Sequence, residues 1–142
     1  MLLQDIVRGR MRSLLQYISE SFPWPNTDSE AAAAVFQALA GEERDAVAPL
    51  VQFLVNEGDS IPYCGAYPMQ FTNMNFVSMA YIAPIVQSYL REAVVQLERD
   101  MSKLQNPHGG ELVQSLIETL ERHLQRLELL QTDATLSSAA AG

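Results

Sequence analysis

The sequence predicts an all-α fold, an antiparallel bundle of four helices, on three observations. Four segments carry apolar residues at spacings of three and four. Proline- or glycine-bearing breaks separate them, and no segment alternates with the period of a strand. Four amphipathic helices joined by three links have one economical way to bury their stripes, which is against each other.

The first helix is predicted over residues 2–21, with Leu3, Val7, Met11, Leu14 and Ile18 on one face. Phe22-Pro23-Trp24-Pro25 stops it, because proline lacks an amide proton and restricts the residue before it. The second begins near Thr27, where Thr27-Asp28-Ser29-Glu30 has capping-box spacing. Its stripe is Phe36, Leu39, Glu43, Ala46 or Val47, Leu50 and Phe53. Pro49 is expected to kink it, and Gly58 to cap its end.

Residues 59–71 hold Pro62, Gly65 and Pro68 and no helical pattern. Extended, at about 3.3 Å per residue, this link can reach the length of a bundle. A simple up-down-up-down bundle and one with a crossover between the second and third helices therefore both remain open. The third helix starts at Thr72 or Asn73, with Phe71 and Phe76 placed as a hydrophobic staple. Its seam of Phe76, Met79, Ala83, Val86, Leu90, Ala93, Leu97, Met101 and Leu104 suits near-parallel packing, interrupted at Pro84. Asn106-Pro107 reads as a cap followed by proline at the first helical position, unless Gly109-Gly110 delays the start. The fourth helix carries Val113, Leu116, Ile117, Leu120, His123, Leu124, Leu127 and Leu130, with Glu118, Glu121, Arg122, Arg126 and Glu128 outside. One bundle domain over residues 1–131 and a disordered small-residue tail over 132–142 are expected.

The chain has 142 residues, 48% hydrophobic, enough for one core. A formal net charge of -8 disfavours nucleic acid and anionic membrane as partners. Cys64 is the single cysteine, so no internal disulfide forms, which fits a reducing compartment. Asp5, Arg8 and Arg10 stand where a signal peptide needs an apolar run, and no stretch approaches the roughly 20 residues of a membrane span. A cytoplasmic location follows as the expectation.

Three polar residues interrupt the stripes: Arg10, Glu43 and His123. At about 1.5 Å per residue, all three fall near the middle of the bundle and can form one buried polar layer. A buried carboxylate needs a counter-charge or a cation. A structural ion pair with Arg10 is the preferred reading of Glu43. A metal or substrate site on Glu43 and His123 is the alternative.

The helix lengths, the long second link and the pairing of Glu43 with His123 resemble the ferritin-like superfamily, rubrerythrin-type bundles in particular, over residues 2–131. In metal-binding members the second and fourth helices each carry Glu-x-x-His, and the first and third each a lone glutamate. Glu43-Arg44-Asp45-Ala46 keeps the first glutamate without its histidine, and Leu120-Glu121-Arg122-His123 keeps the histidine without its glutamate. Arg10 stands at the depth of the first helix's glutamate, and the third helix offers Val86 and Leu90, with Glu92 off the stripe. The resemblance thus implies a ferritin-like bundle with its di-metal site lost and no cofactor. Its role would be assembly or binding as a dimer, with Phe22, Trp24, Tyr63 and Tyr67 as interface aromatics. The alternative it implies is an iron- or manganese-dependent oxidoreductase, ferroxidase-like, with a reduced site.

Other chemistry finds no support. Gly109-Gly110 follows no strand, as a phosphate loop would. One cysteine with His108 and His123 makes no zinc site, and Cys64 has no nucleophile context. A phosphotransfer histidine would be exposed, whereas His123 lies on the apolar side. Glu42-x-x-Asp45 and Glu118-x-x-Glu121 read as solvated helix surface. The aromatic stretch from Tyr63 to Met69 reads as a cover over helix ends.

Overall fold

The computed structural model describes residues 2–21, 30–60, 65–68, 71 and 79–141. It is all-helical over these residues apart from turns and links: α1 (Leu2–Met11), α2 (Leu14–Ser21), α3 (Glu30–Asn56), α4 (Met79–Lys103) and α5 (Pro107–Ala141). The expected starts at Thr27 and Thr72, and the interface aromatics Phe22, Trp24 and Tyr63, lie outside the described residues.

The first predicted helix is two. It breaks at Arg12-Ser13, and the break changes which face is buried. α1 buries Ile6 and Val7; α2 restarts and buries Leu14, Leu15, Tyr17 and Ile18. Met11, assigned to the stripe of an unbroken helix, is instead 36% exposed. The other stripes hold. Phe36, Leu39, Leu50 and Phe53 of α3 are buried, as are Val86, Leu90 and Leu97 of α4 and Leu116, Leu120 and Leu127 of α5. Each fully buried side chain of this size contributes about 1.5–3 kcal/mol.

Pro49 and Pro84 sit inside α3 and α4, and both are exposed. Each ring and missing amide therefore falls on the solvent side, where the helix tolerates the lost bond best. α3 ends in a Schellman motif: Asp59 donates to the Leu54 carbonyl at 2.9 Å and Gly58 to that of Val55 at 3.1 Å. Gly58 takes φ 79°, the left-handed conformation that closes this motif.

α5 begins at Pro107 without the delay its glycines allowed. Asn106 Oδ1 accepts from the amides of His108 at 2.9 Å and Gly109 at 3.1 Å. Asn106→Ala is expected to cost about 1 kcal/mol, read as a lower midpoint in urea unfolding. At its other end α5 stays helical to Ala141, through the residues where composition predicts a disordered tail. A helix already nucleated upstream propagates readily into Ala139-Ala140-Ala141.

The structure decides the topology. Gln4 bonds to Ser60, Arg10 to Glu43 and Gln16 to Ala40, so α1 and α2 run antiparallel to α3. Gly109 lies against Phe53 while Arg126 bonds to Glu42, so α5 is antiparallel to α3 as well. The short turn at 104–106 sets α4 antiparallel to α5. Hence α3 and α4 run in the same direction, and the link between them must travel the length of the bundle. Its described residues lie along α1 and α2. Ser60 sits at Gln4, the Gly65 carbonyl accepts from Arg12 Nε at 2.7 Å, and Tyr67 and Phe71 both contact Tyr17. This is the crossover arrangement. α4 packs heavily on α5 but only lightly on α2, which leaves a seam between the first helix and α4.

Candidate functional site

The helix break is where polar side chains collect. Ser13 caps α2, its Oγ accepting from the Gln16 amide at 3.3 Å. The same hydroxyl donates to Glu43 Oε1 at 2.6 Å. Gln16 Nε2 donates to Glu43 Oε1 at 3.0 Å and to the Ala40 carbonyl at 2.8 Å, and its Oε1 accepts from Arg44 Nη1 at 2.7 Å. Arg10 Nη1 reaches Glu43 Oε2 at 3.2 Å. Glu43 is fully buried, and the three donors meet its charge inside the protein.

The structure thus brings Arg10 and Glu43 together. It does not bring His123 to them. His123 is fully buried, and neither Nδ1 nor Nε2 has a hydrogen-bond partner. The carboxylate beside it is that of Glu42, whose Oε1 stands 3.9 Å from Nε2 while its Oε2 bonds Arg126 Nη1. Burial pushes the His123 pKa down to about 4; Glu42 opposes this, and Arg126 and Arg122 add to it. The imidazole is therefore neutral near pH 7. The expected single layer is split because consecutive residues of a helix point about 100° apart. Glu43 turns toward α1 and α2, and Glu42, expected to be plain surface, turns toward α5.

Ser13, Gln16 and Arg44 were not singled out from sequence. Ser13-Leu14-Leu15-Gln16 nevertheless has the spacing of a capping box, the local signal of a helix start. Gln87 was also missed. It is buried on α4, its Nε2 has no partner, and it lies as far from the turn at 104–106 as His123 does on α5.

A cleft of about 430 Å³ opens at the helix break, in the seam between the first helix and α4. Its charged lining is Asp5, Arg8, Arg10, Arg12 and Glu43. Its apolar wall is made by Leu14, Leu15, Phe71, Val86, Tyr89 and Leu90. Phe71 bridges the seam, its ring centroid 5.7 Å from that of Tyr17 and 5.6 Å from that of Tyr89. A smaller cleft of about 330 Å³ continues between α1 and α4 and shares Asp5, Gly9 and Arg10 with the first.

The side chains around Glu43 do not suit a di-metal centre. Its oxygens accept from a guanidinium, a hydroxyl and an amide, and a cation there would have to displace an arginine. Among the described residues no three His, Cys, Asp or Glu side chains gather as metal ligands would. Among the same residues no helix is long and apolar enough to cross a membrane. No family model matches this chain, and no curated protein or solved structure matches it either.

Proposed function

We propose that this chain is a non-catalytic helical binding domain of ferritin-like architecture, in which a protein-made ion pair replaces a di-metal site. The cleft at the break between α1 and α2 is its binding site. One observation carries this reading: Glu43 is sealed at the foot of a 430 Å³ cleft with its charge met by Arg10, Ser13 and Gln16. A satisfied carboxylate organises the walls of a pocket and has no need of an inorganic ion. The cleft falls within the usual range for small-molecule sites, about 300–1,000 Å³, and is mostly apolar with a few charged groups, as such sites are.

Two measurements test this. Protein purified without chelator is expected to hold sub-stoichiometric iron, manganese and zinc. One or two ions per chain, lost in Glu43→Ala, overturn the reading. A small-molecule panel screened by thermal shift is expected to yield stabilising compounds that move the methyl resonances of Leu14, Val86 and Leu90. A panel that leaves those methyls unmoved overturns the binding role.

A further inference from the structure

Resting on that binding role, we infer that the cleft takes a small amphipathic monoanion, a carboxylate or comparable head group on an apolar tail. The charge around the cleft is uneven. Asp5 is paired with Arg8 at 3.3 Å and Glu43 with Arg10 at 3.2 Å, so two of the three arginines are matched by carboxylates. Arg12 is not. It donates to the carbonyls of Gly65 at 2.7 Å and Met11 at 3.1 Å and lies over the Tyr67 ring at 5.0 Å. Among the described residues it forms no ion pair, and two bonds leave donors of its five-proton fork to spare.

The cleft therefore carries an excess positive charge in a chain whose net charge is -8. α1 ends and α2 begins in this same wall, so the negative and positive ends of their helix dipoles offset there and the side chains set the field. Glu43 is offset by Arg10, which leaves Arg12 as the cation of this wall without a carboxylate partner among the described residues. Next to the charges stand Leu14, Leu15, Val86 and Leu90. A polar anchor beside an apolar wall selects a ligand with a charged head and an apolar body. A highly charged polyanion would leave that wall unused, and a neutral hydrocarbon would leave Arg12 unmatched.

Octanoate, octanol and octylammonium, below their aggregation concentrations, separate the contributions. Octanoate is expected to shift the methyl resonances of Leu14, Leu15, Val86 and Leu90 and to bind about tenfold more tightly than octylammonium. Each methylene added from butanoate to octanoate is expected to tighten binding about fourfold. Arg12→Gln is expected to weaken octanoate about tenfold and leave octanol unchanged. Arg8→Gln, at an exposed position with less effect on the fold, is expected to weaken octanoate alone by a smaller factor. Octylammonium binding as tightly as octanoate, or arginine variants that alter octanol and octanoate alike, overturns the anionic class and leaves the binding role standing. If none of the three probes moves the cleft methyls, the amphiphile assignment fails; failure of the broader panel as well removes the binding role.

Discussion

Glu43→Ala is expected to lose about 3–5 kcal/mol of folding stability, the cost of breaking a buried ion pair by removing one partner. Arg10 would keep a partly buried guanidinium without its carboxylate, and Ser13 Oγ and Gln16 Nε2 would each lose an acceptor. Domains of this kind have about 5–15 kcal/mol in total, so the loss is a large share of what holds the fold together. Urea unfolding at pH 7 reads the loss directly. Glu43→Gln should cost less, about 1–3 kcal/mol, because the amide oxygen still accepts from Ser13 and Gln16 while its NH2 faces Arg10. Replacing both partners, as Arg10→Met with Glu43→Leu, should recover much of the loss, since no charge is then left enclosed. An alanine variant within about 1 kcal/mol of the parent chain would mean that the carboxylate is hydrated and that the pairing contributes little.

Lowering the pH from 6.5 to 4 is expected to remove about 3 kcal/mol through His123 alone. The sign follows from where the proton binds. In the unfolded chain the imidazole titrates near 6.5, and in the folded protein burial holds it near 4. Between these values the unfolded state takes up the proton and the folded state does not. Stability is therefore whole above pH 6.5, falls as the pH drops through that window, and has lost the full contribution below about 4. Glu42, Arg126 and Arg122 surround the ring, and only Glu42 favours its charged form. His123→Leu should flatten the profile between pH 6.5 and 4. At pH 7 it should match or exceed the parent, because both ring nitrogens are buried without partners. Chemical denaturation across pH, parent against variant, measures both effects. The His123 resonance, assigned by its loss in His123→Leu, would show that the ring meets solvent if it titrated near 6.5 in the folded protein.

The helices and the inward faces of α3, α4 and α5 were legible in the sequence because they depend on local spacing. Leu39 and Leu50, or Leu116 and Leu120, lie on one face wherever the helix packs. The Asn106 cap and the Gly58 terminus were legible for a similar reason, since each is a bond pattern closed within a few residues. The break after Met11 leaves no mark in the apolar spacing, because the residues on either side keep helical spacing. Only the capping pattern from Ser13 to Gln16 marks it, and the hydroxyl that makes the cap also serves Glu43 across the interface. The pairing of Arg10 with Glu43 was legible from depth. The separation of His123 from Glu43 was not, since depth along an axis says nothing about which neighbour a residue faces.

The amino-acid order alone determined the all-helical class, the α3, α4 and α5 stripes that become the core, the stops, and the need of one enclosed carboxylate for a counter-charge. These follow from backbone geometry and desolvation, which act over a few residues. Tertiary structure alone decided that the long link crosses over, that Glu42 and Glu43 serve different neighbours, and that a cleft opens beside Arg12. Each depends on how the helices are rotated and shifted against one another. That arrangement is the joint minimum of all their contacts, and no single segment encodes it.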